Sequence, residues 1–169
     1  MIIRFAREDE LERINALRKQ VNDIHVAGKP DVFKPGFGKE LQDHIKDIWN
    51  DPEQEIVVAD EDGVLCGFAV LHHINKPENP YMFERDFLDI DEFCVDEKYR
   101  RQGVATEFIA FIKDYAKEKG FKRLELNMWE CVMIALGMSF AAFLVSFSAV
   151  AVGMALEGIG DKIGEFLAS

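Results

Sequence analysis

The residues with the clearest chemical potential lie between positions 99 and 106, where a charged turn leads into an apolar segment of helical periodicity. Gly103 and Ala105 keep large side chains away from the backbone at this point. A helix that begins here would present unpaired backbone N–H groups and the positive end of its dipole, and both favour phosphate. Arg100 and Arg101 add positive charge that could pair with phosphate oxygens. The segment therefore predicts a site for a phosphate-bearing ligand.

A second group of candidates consists of carboxylates on the segment just before this turn. Residues 87–95 alternate between acidic and apolar types, which predicts a half-buried strand that carries carboxylates into or beside a cleft. The predicted faces are Leu88, Ile90, Glu92 and Cys94 on one side and Asp89, Asp91, Phe93 and Val95 on the other. Asp91 and Glu92 would then lie on opposite faces, and only one of them could face a reacting group.

These groups need a scaffold, and the other patterns predict a mixed α/β order in which the last helix joins two parallel strands. Apolar residues recur at spacings of three and four along residues 11–24, which is typical of an amphipathic helix. Asp9 is the predicted N-cap of this helix, and residues 25–36 are predicted as a loop. Asp62-Gly63 between two apolar runs predicts a hairpin turn. The predicted elements are strand 2–6, helix 9–24, helix 39–49, strands 55–60 and 64–71, strand 87–95, helix 103–118 and strand 124–129.

Composition limits the partners of such a site. The chain has 169 residues, which fits a single domain with its own core. Its formal net charge is −11, from 31 acidic and 20 basic residues. This balance argues against nucleic acid and favours a cationic small molecule or a peptide amine, although an acidic excess can also serve solubility alone.

The cysteines and histidines do not form a metal-binding pattern. Cys66, Cys94 and Cys131 are not paired at metal-ligand spacing, and we interpret them as reduced core thiols of a cytoplasmic protein. His72 and His73 are adjacent, so on a strand they point to opposite faces and cannot bind one metal ion. We therefore expect no metal site.

The turn also carries a family resemblance. Arg100-x-x-Gly103-x-Ala105 is similar to the pyrophosphate motif of the GNAT superfamily of N-acetyltransferases, in which glutamine or arginine is followed by two residues, glycine, one residue, and glycine or alanine. The alternative is an ordinary strand-to-helix turn with surface arginines. The resemblance covers residues 1–130 and implies an α/β (α+β) fold with a splayed central sheet flanked by helices.

The resemblance implies acetyl-CoA as acyl donor and assigns residues to it. The pyrophosphate would be held at the turn by Arg100, Arg101, Gln102, Gly103, Val104, Ala105 and Thr106. The backbone of Phe93, Cys94 and Val95 would bond the pantetheine arm and the thioester. Asn127 is a further candidate for the pantetheine arm, and a partly exposed strand asparagine without this role is an equal alternative.

The implied reaction is acetyl transfer to a primary amine of a small molecule or peptide, by direct attack in a ternary complex. An alkylammonium with a pKa near 10 is mostly unreactive at neutral pH and must first lose a proton. We favour the carboxylates of Glu92 and Asp91 for this role, with a solvated strand edge as the alternative. His25 and Asp31, in the loop that similar enzymes use to shape the acceptor pocket, are weaker candidates.

The chain departs from the family after Glu130. The family motif asparagine-x-x-alanine-x-x-phenylalanine-tyrosine would begin at Val132, but only Ala135 matches, and Ser139 stands where a tyrosine commonly protonates the departing thiolate. The general acid is therefore unassigned. We expect a coenzyme-binding domain at residues 1–130 and an atypical segment at 131–169.

Residues 131–156 carry no charge, and three interpretations of them remain open. They meet the length criterion for a membrane span, but no cluster of Lys or Arg flanks them. They could instead be an aberrant terminus or a buried part of the core. The alternative function is accordingly a catalytically impaired acyl-CoA-binding or membrane-tethered interaction protein, and a homodimer is left open.

Overall fold

The computed structural model describes residues 1–126, which form a five-stranded mixed sheet flanked by helices. The strands lie in the order β1-β2-β3-β4-β5; neighbours are antiparallel except β4 and β5, which are parallel. This confirms the predicted fold class and the parallel pair. The elements are β1 (Ile2–Phe5), α1 (Leu11–Gly28), α2 (Lys39–Asn50), β2 (Gln54–Glu61), β3 (Val64–Lys76), β4 (Arg85–Val95), α3 (Val104–Glu118) and β5 (Leu124–Leu126), with 3-10 turns at Glu8–Glu10 and Glu97–Tyr99.

Two apolar clusters cover the two faces of the sheet. On one face, Phe108 and Ile112 of α3 are buried in a cluster with Ile90. On the other face, Ile14 of α1 and Ile48 of α2 are buried in the second cluster. Each such side chain contributes about 1.5–3 kcal/mol when fully buried. The two helix layers therefore fix both faces of β4, the strand that carries the candidate carboxylates.

The predicted alternation of β4 is wrong beyond Ile90, because the strand contains a β-bulge. Val70 pairs with Glu92 and Leu71 pairs with Ile90, so Asp91 has no partner on β3. One extra residue reverses the side-chain parity that follows it. The observed sides are Leu88, Ile90, Phe93 and Val95 towards α3, and Asp89, Glu92 and Cys94 towards α1 and α2. Asp89 thus shares a face with Glu92, contrary to the simple alternation.

The first helix differs from the prediction at both ends. Asp9 lies in a 3-10 turn and is not the N-cap; the buried Glu10 precedes the helix, and its carboxylate accepts hydrogen bonds from Arg4 and from the backbone of Arg7. The helix also continues through Gly28, so His25 belongs to its last turn instead of the predicted loop. Glycine at the helix end and proline two residues later explain why it stops there.

The hairpin turn between β2 and β3 is confirmed. Asp62 has φ +51° and Gly63 has φ +84°, the positive values that a tight two-residue turn requires. Its strands pair from Glu61 and Val64 outwards. β3 runs on to Lys76, five residues beyond the prediction, because it pairs with the whole length of β4.

Candidate active site

The turn after β4 is anchored to α1 through Asp96. Asp96 is 4% exposed, and its carboxylate accepts a hydrogen bond from Arg13 Nη2 at 2.5 Å and one from the Lys98 backbone N–H at 3.1 Å. Burial acts to raise the pKa of Asp96, but these hydrogen bonds outweigh it and hold the pKa below its usual value. Arg13 also donates to the carbonyl of Leu65. The start of the turn is therefore tied to both α1 and β3.

Two side chains of the motif bond within the turn. Arg100 Nε donates to the carbonyl of Val95 at 3.0 Å, and Gln102 Nε2 donates to the carbonyl of Lys98 at 2.8 Å. Arg100 thus braces the turn against the end of β4, a contact that the sequence did not reveal. Arg101 is exposed and has φ +61°, an uncommon conformation for a residue with a side chain.

The backbone N–H groups of the first turn of α3 have no hydrogen-bond partner within residues 1–126. Gly103 has φ +89° and immediately precedes the helix, and the first helical hydrogen bond runs from Glu107 N to Gly103 O at 3.1 Å. The N–H groups of residues 103–106 therefore have no partner within the helix. A Cβ placed on Gly103 would meet no atom of the described residues within 4 Å. This leaves a positive, open backbone surface suited to an anion.

Gly67 sets how closely α3 approaches the sheet. A Cβ on Gly67 would lie 2.8 Å from the carbonyl oxygen of Cys94 and 2.8 Å from Cε2 of Phe108. Gly67 pairs with Val95, the last residue of β4 before the turn. Only glycine allows this contact, so Gly67 helps to place the amino end of α3 beside the end of β4.

The end of β4 offers backbone groups on one edge. Phe93, Cys94 and Val95 are buried and pair with β3 on one side. On the other side, β5 pairs only with Leu88–Ile90, and no other strand within residues 1–126 pairs with β4 there. Burial raises the pKa of the Cys94 thiol to about 12, so this sulfur is a poor nucleophile at neutral pH.

Glu92 is held by a buried arginine of α1. Arg18 Nε and Nη2 donate to the two carboxylate oxygens of Glu92, each at 2.8 Å. Arg18 is 6% exposed and also donates to the carbonyl of Leu41 at 2.7 Å and to Oδ1 of Asn15 at 3.1 Å. One guanidinium therefore joins β4 to both helices of its face, in the forked geometry that suits carboxylates.

Asp89 lies on the same face, in an acidic neighbourhood. It pairs across the sheet with His72 on β3 and with Glu125 on β5. Its Oδ1 is buried and has no hydrogen-bond partner in the described part of the chain. Burial, followed by the charges of Asp91 and Glu125, raises the pKa of Asp89. Asp91 itself, on the bulge, is exposed.

These features agree with a family match over most of the chain. The sequence model of the acetyltransferase (GNAT) family matches residues 18–138. The chain belongs to the GNAT family of acetyltransferases. The match runs eight residues past the boundary that the sequence predicted at residue 130 and covers the strand, turn and helix described above. None of the curated proteins matches the sequence.

Solved structures show the same fold. A mutant of the BH1408 protein from Bacillus halodurans is similar with a TM-score of 0.72 and 24% identity, covering 82% of this chain and 93% of that one. An acetyltransferase from Vibrio fischeri has a TM-score of 0.60 and 28% identity, covering 75% of this chain and 96% of that one. The enzyme AAC(6')-Iy, in complex with the bisubstrate analogue CoA-S-monomethyl-acetylneamine, has a TM-score of 0.59 and 22% identity, covering 82% and 90%.

His25 lies in the last turn of α1 of this GNAT fold. Its ring stacks on Phe33 at a centroid distance of 4.6 Å, and its Nδ1 is buried without a hydrogen-bond partner in the described residues. Burial lowers the pKa of His25, and the carboxylate of Glu92 only partly offsets this. His25 is therefore neutral at neutral pH, since a proton on Nδ1 would be buried without an acceptor.

Several predicted features lie outside the described residues. These are Asn127, Cys131, Ser139, and the apolar segment 131–156 with its three interpretations. Within residues 1–126, no helix is long and apolar enough to cross a membrane. The same residues contain no group of three or more His, Cys, Asp or Glu arranged to hold a metal ion. Cys66 and Cys94 are free, buried thiols, as expected.

Sequence reasoning missed Arg13, Arg18 and Asp96, which position the site. One signal was available for Arg18: it follows Leu17 on the apolar stripe of α1, where a charged residue requires a partner. No local signal could reveal the partners, because Arg18 and Glu92 are 74 residues apart and Arg13 and Asp96 are 83 apart.

Proposed function

We propose that this GNAT protein is an acetyl-CoA-dependent N-acetyltransferase that acetylates a primary amine of a small molecule or peptide by direct attack in a ternary complex. The observation that carries the proposal is the amino end of α3, where Gly103 leads from the β4 turn into a row of free amides. In this proposal, the amides of residues 101–106 hold the pyrophosphate, and Arg100 adds charge beside them.

The residues present fit an acyl-CoA. Within residues 1–126 the space over Gly103 is open, and the edge of Phe93, Cys94 and Val95 that faces away from β3 has backbone groups available for the pantetheine arm. In the proposal, Asn127 makes a further contact to this arm. The donor supplies an activated acetyl group, and the residues of the chain bind it and direct the amine.

An amine acceptor is supported by the negative charge of β4. β4 carries Asp89, Asp91 and Glu92 within four positions, and the whole chain has a net charge of −11. A cationic acceptor is attracted to such a surface. AAC(6')-Iy, which shares the fold, was solved with an analogue that contains acetylneamine.

The acidic side chains of β4, among them the sequence candidates Asp91 and Glu92, are proposed to attract the ammonium, and one of these carboxylates takes up its proton, directly or through water. The amine then attacks the thioester itself. The buried thiol of Cys94, with its pKa of about 12, does not support a route through an acylated cysteine. The group that protonates the departing thiolate remains unassigned.

Two measurements test the proposal. Titration calorimetry should show that the full chain binds acetyl-CoA, and a thiol assay should show release of CoA when amines are supplied. The amines should include a lysine peptide, a peptide with a free amino-terminal alanine, a polyamine and an aminoglycoside. Binding without thiol release for any amine would favour the non-catalytic acyl-CoA-binding protein. Absence of binding would refute both functions.

A further inference from the structure

The bulge in β4 places Asp89, and not Asp91, on the same face as Glu92. The pairing of Val70 with Glu92 and of Leu71 with Ile90 leaves one residue out of the ladder, which resets the alternation. Asp89 therefore faces the α1 and α2 side of the sheet at the point where β5 joins β4. The side of the sheet that packs on α1 and α2 thus carries two carboxylates of β4.

These two carboxylates differ in their partners. Both oxygens of Glu92 accept hydrogen bonds from Arg18, which is almost fully buried. Taking up a proton on Glu92 would break this fork and leave the buried guanidinium without its counter-charge. Glu92 is therefore suited to a fixed, charged position and not to a cycle of proton uptake and release.

Asp89 has the opposite character. Its Oδ1 is buried without a partner in the described residues, and the carboxylates of Asp91 and Glu125 are its electrostatic neighbours. Burial and these charges raise the pKa of Asp89, which brings it closer to neutral pH. A base works best when its pKa lies near the working pH. Across β3, the basic side chain opposite Asp89 in the register is His72, which acts weakly against this shift.

We propose that Asp89 is the group that accepts the proton of the acceptor ammonium, while Glu92, positioned by Arg18, keeps a fixed negative charge on the same face without taking part in proton transfer. This inference rests on the proposed acetyltransferase function. It adds Asp89 to the sequence candidates and gives Asp91 an indirect role, because the charge of Asp91 makes Asp89 more basic.

Two protons leave the acceptor nitrogen during the transfer. The ammonium gives one proton to the carboxylate of Asp89, and the freed nitrogen forms a bond to the thioester carbon. The carbon–sulfur bond breaks, and the second proton lost by the nitrogen goes to the departing sulfur, through water where the two are apart. Asp89 then releases its proton to solvent and returns to the carboxylate.

The test is the pH dependence of kcat/KM for the full chain, measured with acetyl-CoA and the amine of the panel that is turned over fastest. Asp89→Asn should lower kcat roughly 100-fold or more and abolish the acid limb of the profile, with acetyl-CoA binding unchanged. Asp91→Asn should keep the acid limb and move it to lower pH, because the charge that raises the pKa of Asp89 is removed.

Glu92→Gln should leave the acid limb at the same pH and raise the KM of the amine. Asp114→Asn, on the exposed side of α3, is the matched control and should change nothing.

Two readouts separate this inference from the function on which it rests. If wild type turns over an amine but Asp89→Asn retains the rate and the acid limb, the inference is wrong and the acetyltransferase function stands. If wild type turns over no amine, both are wrong. Carbon NMR titration of the Asp89 carboxyl adds a readout without turnover: an ordinary aspartate titration in wild type, unaffected by Asp91→Asn, would also overturn the inference.

Discussion

Arg18 and Glu92 form a forked ion pair across the interface between α1 and β4, with two hydrogen bonds of 2.8 Å. The arginine is buried and makes a further bond to the backbone of α2, whereas part of the glutamate remains open to solvent. The pair therefore links the helix layer to the acidic strand of the candidate acceptor site. The pair acts as a tether, because it holds α1 against β4 in addition to bringing two opposite charges together.

Breaking this pair on one side should destabilise the fold. Glu92→Gln leaves the buried charge of Arg18 uncompensated and should lower the free energy of unfolding by about 2–4 kcal/mol. The double variant Arg18→Gln with Glu92→Gln should lose less than the sum of the single variants, with a coupling of roughly 1–3 kcal/mol. Urea denaturation measures all three. Lys19→Gln removes an exposed pair with Asp23 and should change stability by less than about 1 kcal/mol. Additive single effects would contradict the tether.

Gly67→Ala should perturb both stability and cofactor binding. The new methyl group would lie 2.8 Å from a backbone oxygen of β4 and from the Phe108 ring, so α3 must move away from the sheet. Overpacking of this kind costs about 1–3 kcal/mol, and the shifted amino end of α3 should weaken acetyl-CoA binding. Gly38→Ala is the control, because its φ is −72° and a Cβ there meets nothing within 4 Å. Unchanged calorimetric affinity in Gly67→Ala would show that α3 does not depend on this contact.

The contrast between Gly103 and Gly120 tests the proposed phosphate site at the amino end of α3. Both have positive φ, +89° and +82°, and a Cβ added at either glycine would meet no atom of residues 1–126 within 4 Å, but Gly120 lies at the opposite end of α3. Aspartate should therefore strain the backbone equally at either position. Only Gly103→Asp places a negative charge beside the backbone N–H groups of residues 103–106. This variant should weaken acetyl-CoA binding by at least about tenfold. Equal losses of affinity in both variants would point to backbone strain as the cause.

The strand, turn and helix that form the proposed phosphate site could be predicted from sequence because their signals are local. The strand, the charged turn, Gly103 and the helix period all fall within residues 87–118, and each follows from residue type and spacing. The carboxylate geometry could not be predicted in the same way. Its parity depends on how β4 pairs with Val70 and Leu71, which are distant in the sequence. The adjacent acids Asp91 and Glu92 interrupt the apolar alternation, but residue type alone does not say which residue leaves the ladder. The order of the elements could thus be predicted from the sequence. The side of the sheet on which Asp89 lies could be determined only from the strand pairing in the structure.

Cys94→Ala should retain acetyl transfer. The Sγ atom is buried, lies 3.6 Å from the carbonyl oxygen of Leu17, and its pKa of about 12 disfavours the thiolate. Removing it should reduce kcat by no more than a few fold, and any loss should follow stability instead of chemistry. Rapid-mixing kinetics should show no burst of CoA release before the amine is added. A burst in wild type that is absent in Cys94→Ala would establish an acyl-cysteine route and exclude direct attack.

Asp89→Asn should stabilise the fold in a pH-dependent way. Because the folded state raises the pKa of Asp89, the folded protein binds more protons than the unfolded chain between the two pKa values. Stability contributed by this residue therefore falls as pH rises from the ordinary aspartate pKa, near 4, through the raised value. At neutral pH the partly buried carboxylate is charged and carries this whole penalty, which asparagine removes; in acid the wild-type carboxyl is already neutral. The variant should thus gain its largest advantage at pH 7 to 8.

Urea unfolding of wild type and Asp89→Asn from pH 8 to the lowest pH at which both are folded measures this advantage. The difference in free energy of unfolding should shrink towards zero as pH falls. Asp114→Asn, at an exposed position of α3, should give a difference that stays near zero throughout. A gain for Asp89→Asn that is the same at every pH would reflect the shape of asparagine and not the charge. Loss of activity together with this gain in stability would indicate that the buried carboxyl is retained for proton transfer at the expense of the fold.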